Sequence, residues 1–279
     1  MSILSAEQYL GLVALGIAVG CYGTLIGAGG GFVLMPVLLL LYPDQSANLL
    51  TCISLAVVFF NALSGSEAYA LLKRIDYRSG LMFAAATIPG AILGALNTSY
   101  VPRRLFDLIF AVMLLAAAAF LGWQPNKKEG INRKSFGAGH NRVARRLVDA
   151  HGITYEYDFN WPLGMTISII VGYVSSFLGI GGGIIHVPAL SYFLNFPVHI
   201  ATATSHFILA IMALTGTIVH ILTGTFAHGV HRTVALAIGV VLGAQIGARL
   251  SDKIRGRWII RALAMALGIV GLRILFTTW

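Results

Sequence analysis

Apolar residues dominate ten runs of the chain, at 8–26, 32–42, 47–72, 80–101 and 105–123, then at 162–180, 184–194, 198–223, 233–250 and 258–276. The runs form two sets of five, and in each set four are near the roughly 20 residues that a helix needs to cross the hydrocarbon core. The second run of each set has eleven residues. As a helix it rises about 16 Å against a core of about 30 Å, so each is expected to be a half-helix entered through the glycine cluster that precedes it. Irregular backbone at membrane depth survives only where it is buried in protein or lines a watery cavity. The stretch 124–161 is the one long polar segment. Within it "NRVARRLVDA" predicts a short amphipathic helix and "ITYEYDF" a short strand.

The composition turns this pattern into a class. Of 279 residues, 57% are hydrophobic and 10% charged, and the mean hydropathy is +0.83. A water-facing surface needs roughly a quarter of charged residues, so the chain is expected to be an all-α polytopic membrane protein and a soluble enzyme is excluded. Nineteen Lys and Arg against ten Asp and Glu leave a net charge of +9. That excess lies between apolar runs, where it reports topology and not nucleic-acid binding. Cys21 and Cys52 fall inside apolar runs and suit small apolar residues better than a disulfide or a thiolate site. Residues 1–8 carry Glu7 without Lys or Arg, unlike a signal peptide, so the first run is expected to stay in the mature protein.

The two sets are copies. Gly27-Ala28-Gly29-Gly30-Gly31 recurs as Gly179-Ile180-Gly181-Gly182-Gly183, Pro36 as Pro188, Thr51 and Ser54 as Thr202 and Ser205, "ALSGS" as "ALTGT", and "GAILGA" as "GVVLGA". The expected organisation is a first membrane repeat over 1–123, a loop over 124–161 and a second repeat over 162–279. If each short run returns the chain to the face it came from, loops 73–79, 124–161 and 249–257 share one face and carry fourteen Lys and Arg, against three (Arg103, Arg104, Arg232) opposite. Ignoring the short runs gives a poorer split of eleven to six. The positive-inside rule then puts the central loop in the cytosol and both termini outside. Each half makes an odd number of face changes, so the repeats are expected to be inverted, as in secondary transporters with discontinuous helices and a midplane site.

Candidate chemistry gathers at the repeats. Gly29, Gly30 and Gly31, with Gly181, Gly182 and Gly183, permit left-handed backbone and would open the half-helices with free N–H groups, an anion site; close helix packing is the plainer use of the same glycines. Thr51 and Ser54, and Thr202, Thr204 and Ser205, present hydroxyls that can donate to an oxyanion or back-bond to the preceding turn. Asn61 and Gln245 are lone polar residues within spans, equally suited to joining helices. All eight histidines lie at 140 or beyond; His206 follows Ser205 where the first copy has Leu55. His206 is also a candidate anion ligand that could lend positive charge, and His206, His186 and Glu67 are the candidate proton carriers. A neutral histidine bonded between helices, and a Glu67 paired with Lys73 or Arg74, are the alternatives. His199 and His206 share a helical face, yet there is no HExxH and no clustered carboxylate, so no metal and no cofactor is expected. His228 and His231 lie in a loop and are expected to be solvated.

"GTLIGAGGGFVLMP" and "SSFLGIGGGIIHVPALSYFLNFPVHIATATSHF" resemble the signature loops of the sulfite exporter TauE/SafE family of membrane permeases, over roughly 8–123 and 162–276. The resemblance implies a permease for a small sulfur-containing anion such as sulfite, sulfoacetate or a taurine-like sulfonate. The first copy departs from the pattern at "LLTCIS", where Cys52 and Ile53 replace more polar residues, so the halves need not contribute equally. The expected setting is a multi-pass protein of a bacterial inner membrane, whose partners are the bilayer and the anion; a homodimer is compatible with it. The rival readings are an anion channel, an intramembrane histidine-dependent enzyme, and a metal or amine transporter.

Overall fold

The computed structural model describes residues 5–122, 141–251 and 256–277. Each apolar run is a helix: α1 (Ala6–Ile26), α2 (Gly31–Leu41), α3 (Ala47–Leu71), α4 (Tyr77–Thr98) and α5 (Arg103–Gly122), then α6 (Trp161–Leu178), α7 (Gly183–Tyr192), α8 (Val198–Leu222), α9 (Val230–Leu250) and α10 (Gly256–Thr277). The starts follow the chain's own capping residues. Ser5 forms a reciprocal capping box with Gln8, and Ser46, Asp76 and Asn160 each accept a backbone N–H from the first turn of α3, α4 and α6. Among the described residues six helices (α1, α3, α4, α6, α8 and α9) are long and apolar enough to span a bilayer. The protein is an all-α polytopic membrane protein with one small hairpin.

α3 and α8 form the centre. The apolar stretch of α3 is 83% buried and that of α8 61%, against 33% for α1. They run in opposite directions, since Gly65 of α3 packs on His206 of α8 while Leu55 packs on Gly216. Around them α1 lies along α9 and α4 along α6. Both outer pairs depend on glycine. A Cβ on Gly20, Gly239 or Gly243 would strike the partner's main chain, as would one on Gly90, Gly94 or Gly172, so the backbones approach as small residues allow in membranes. Exchanging the two halves of the sequence maps the α1–α9 pair onto α6–α4. The third outer pair, α5 with α10, packs Ala111 and Leu114 beneath Gly271.

The segment before α6 differs from its sequence reading. Residues 141–150 do not form the short helix predicted there. Arg142–Val148 is a strand, β1, paired antiparallel with β2 (Thr154–Asn160) in the register Arg142↔Asn160 to Val148↔Thr154. Alternate positions of β1 are exposed, and Val143 and Leu147 turn inward to a cluster built on Phe83, Tyr157, Phe159 and Phe196. A partner strand and an apolar floor decide this conformation, and neither is visible in the local charge pattern. The strand expected at 153–159 is present as β2. Lys127, Lys128, Arg133 and Lys134, and Lys253 and Arg255, lie outside the described residues.

Candidate functional site

The site begins where α1 stops. Gly27 (φ 82°), Gly29 (φ 74°) and Gly30 (φ 79°) are all left-handed, and α2 starts at Gly31. The second copy repeats this with Gly179 (φ 68°), Gly181 (φ 78°) and Gly182 (φ 64°) before α7. Three left-handed residues within four positions demand glycine, because any Cβ there meets its own carbonyl. Each half thus turns back on itself through an elbow, and every elbow residue is buried.

The two elbows touch. A Cβ on Gly31 would come within 2.7 Å of Ile180 O, and one on Gly183 within 2.6 Å of Gly27 O. Each elbow also leans on the opposite half's central helix: Thr202 packs against Gly27, and Thr51 against Gly179. The Ser54 hydroxyl donates to the Gly179 carbonyl. The Gly29 amide is already used by Gly23 O, and the Gly183 amide by Gly181 O. Among the described residues the amides of Gly30, Gly31, Gly181 and Gly182 have no backbone or side-chain acceptor, and neither do the buried hydroxyls of Thr51 and Ser205. Buried donors without acceptors are rare in native proteins and mark places where a ligand or water completes the set.

Beside the first elbow stands a polar cluster drawn from α1, α3 and α8. The Thr24 hydroxyl donates to Asn61 Oδ1 (2.9 Å) and the Tyr69 hydroxyl donates to Thr24 O (2.9 Å). His206 Nε2 lies 3.4 Å from Thr24 Oγ1, and its ring meets Tyr69 edge-on at 5.6 Å between centroids. Gly65 makes room for that ring; its Cβ would fall 2.5 Å from His206 Cδ2. Asn61 Nδ2 has no partner among the described residues, and a Cβ on Gly30 would be 3.3 Å from it. Among the described residues the buried Arg, Lys, Asp and Glu side chains, Arg74, Asp76 and Asp149, lie where the α3–α4 turn meets the hairpin and not at the elbows.

Other expected residues fall elsewhere. Thr204 accepts the Asp76 amide (3.0 Å) and so serves the α3–α4 turn. Glu67 is exposed on α3. His186, also buried, pairs with Ser168 (3.2 Å) where α6 meets α7. Thr24, Tyr69 and Gly65 were missed by sequence reasoning. No group of three His, Cys, Asp or Glu side chains that could hold a metal is present among the described residues. A groove of about 450 Å³ between α4, α5 and α6 is lined by Tyr100, Ile109, Tyr173, Phe177 and Leu178, the last of which directly precedes Gly179.

A bundle of spanning helices with two buried, broken-helix elbows is the architecture of a membrane transporter. The sequence model of the sulfite exporter TauE/SafE family matches residues 12–274, and the chain belongs to that family. It is 31% identical over 273 residues to the probable membrane transporter protein YunE of Bacillus subtilis, covering 95% of this chain and 96% of that one. It is 24% identical over 274 residues to the probable membrane transporter protein MJ0441 of Methanocaldococcus jannaschii, covering 94% and 93%. No solved structure matches it.

Proposed function

We propose that the chain is a secondary transporter that carries a small sulfur-containing anion, such as sulfite or an organosulfonate of the sulfoacetate or taurine type, across the cytoplasmic membrane by alternating access. The observation that carries this reading is the buried contact between two glycine elbows whose amides at Gly30, Gly31, Gly181 and Gly182 lack acceptors. Thr51 packs on Gly179 and Thr202 on Gly27, His206 stands beside Thr24, and in this reading the hydroxyls of Thr51, Thr202 and Ser205 join the amides around the anion. An –SO₃ group spreads its charge over three oxygens that several neutral donors can share, and release stays easy because no full cation holds it. The family supplies the class of cargo.

The halves are inverted in this reading. α3 and α8 occupy equivalent places in the two copies and pass in opposite directions, which an in-plane two-fold axis requires. The hairpin and loops 73–79 and 249–257 face the cytosol, and both termini lie outside, by the distribution of Lys and Arg. Every elbow residue is buried, so in this reading opening to either side means parting the elbows from one face at a time.

The test is uptake into proteoliposomes holding the full chain. Radiolabelled sulfite or sulfoacetate is expected to accumulate against its own gradient when a proton gradient is imposed, and Ser205→Ala is expected to weaken apparent affinity roughly tenfold, the worth of one hydrogen bond to a charged group. Movement only down the gradient would remove proton coupling and leave a channel or a uniporter. Failure to move any of these anions would end the reading.

A further inference from the structure

The two elbows are built alike but surrounded differently. Carrying the first elbow's polar cluster across the repeat offset places Ser176 opposite Thr24, Met212 opposite Asn61, His220 opposite Tyr69 and Leu55 opposite His206. The structure bears out the geometry of that exchange: Gly65 receives the His206 ring in the same crossing where Gly216 receives Leu55. One end of the α3–α8 contact therefore has the Asn61 amide, the Thr24 hydroxyl and the His206 imidazole beside its elbow, whereas the other has the Ser176 hydroxyl with Met212 and Leu55, and His220 in the place of Tyr69. The Ser176 hydroxyl lies against Gly216 and has no partner among the described residues.

Asn61 decides what the polar side is for. Its Oδ1 is taken by Thr24, and its Nδ2 is fully buried and unpartnered. That nitrogen borders the start of α2. A Cβ placed on Gly23 would fall 3.0 Å from Asn61 Nδ2 and would overlap Gly30 N. A side-chain amide with two idle hydrogens thus lies close to the positive end of an eleven-residue helix. Two sets of donors so close, with no acceptor between them, call for an anion there.

Resting on the transport reading above, we propose that the anion is held chiefly by the first half, where a side-chain amide joins the elbow. It sits at the start of α2 between the Gly30 and Gly31 amides and the Asn61 side-chain amide, with Thr24 fixing Asn61 and His206 flanking Thr24. The second elbow keeps its own Gly181 and Gly182 amides but has Met212 where Asn61 stands and Leu55 where His206 stands, so no side-chain amide joins them. The ligand class is a small oxyanion, one per chain.

Isothermal titration of the full chain in detergent tests this, using sulfite, sulfoacetate, sulfate, acetate and inorganic phosphate as probes. Asn61→Leu removes the donors at nearly constant volume, and Asn61→Asp replaces them with acceptors. Both are expected to weaken binding by ~10–100-fold, since a hydrogen bond to a charged group is worth that much. Thr24→Val is expected to weaken it less, and Ser176→Ala, its counterpart, by under about twofold. Elution profile and circular dichroism establish that each variant is folded, and Asn61→Leu carries the test if the buried carboxylate is not tolerated. Undiminished binding in a folded Asn61→Asp would mean that Asn61 caps α2 through its oxygen, and would overturn the proposal while leaving the transport reading standing. Equal losses in Asn61→Leu and Ser176→Ala would overturn the first half's leading part alone. Binding of acetate or phosphate but of no sulfur anion, lost in Asn61→Leu, would keep the site and remove the sulfo-anion. A wild-type chain that binds none of the five would remove both.

Discussion

Gly31→Ala and Gly183→Ala should each abolish transport, and Gly11→Ala should leave it intact. Neither Gly31 nor Gly183 has a positive φ, so alanine is acceptable to the local backbone and would even favour the helix. The obstacle is the other half of the molecule. A Cβ on Gly31 meets Ile180 C and O at 2.7 Å and Val58 Cγ2 at 2.6 Å; one on Gly183 meets Gly27 O at 2.6 Å and overlaps Ala28 Cα. These are mainly backbone atoms of the opposing elbow, themselves fixed by left-handed glycines, so they cannot step aside as a side-chain tip would. Overpacking costs about 1–3 kcal/mol where a core can relax, and this contact sits at the upper end. Uptake is expected to fall by more than about tenfold, with a lowered melting temperature in detergent. The double variant should lose less than the sum of the two, because one separation of the elbows relieves both collisions. Gly11 has nothing within 4 Å of its Cβ, so its replacement isolates the helix-propensity effect. Wild-type uptake by both elbow variants would show that the elbows need not stay in contact.

Much of this was legible in the sequence because a bilayer leaves few choices. Every backbone polar group must be satisfied within the segment, so ten apolar runs became ten helices with ends near those expected. The elbows were legible too, since a glycine repeated at the same place in two copies points to backbone that only glycine adopts. The hydroxyls were legible in part. Thr51 and Ser54, three apart, do share a face, and both reach Gly179. Thr202 reaches Gly27, but Thr204 lies about 200° further round the helix and turns to Asp76. The Thr24–Asn61–Tyr69–His206 cluster could not be read from spacing. Its members come from three helices, 182 residues apart at the extreme, and each looked like a lone polar residue. The available hint was mismatch between copies: His206 against Leu55, and Asn61 against Met212. The hairpin was missed where its first strand carries three arginines, because only the pairing with Thr154–Asn160 reveals alternation in that segment.

Removing Asp149 should free the hairpin from the bundle. Its carboxylate is fully enclosed, accepts the amides of His151 (2.9 Å) and Ile153 (3.0 Å), and faces Arg74, which is itself 5% exposed (Nη2–Oδ2 3.4 Å). Next to it the Ala150 amide donates to Leu72 O, and Tyr157 and Arg145 hold Asp76. Asp76 in turn donates its amide to Thr204, the neighbour of Ser205 and His206 on α8. The clamp therefore reaches from the hairpin to the helix that lines the elbow. Breaking one partner of a buried pair costs about 3–5 kcal/mol, so Asp149→Ala is expected to raise amide hydrogen exchange over residues 149–160 by more than a hundredfold and to lower the melting temperature. Glu156→Gln, which deletes an exposed pair with Arg146 (side chains 72% and 51% exposed), should change stability by no more than about 0.5 kcal/mol. Acid should imitate the first variant and not the second. Burial alone would raise the Asp149 carboxyl, but the Ile153 and His151 amides and Arg74 outweigh it and hold the group below its ordinary value. The folded protein thus binds that proton less readily than the unfolded chain, so the clamp's contribution is complete above about pH 4 and is lost as pH falls through the depressed value. Hairpin exchange that stays slow in Asp149→Ala, or that loosens in mild acid equally with and without Asp149, would show that the apolar floor of Phe83, Phe159 and Phe196 holds the hairpin unaided.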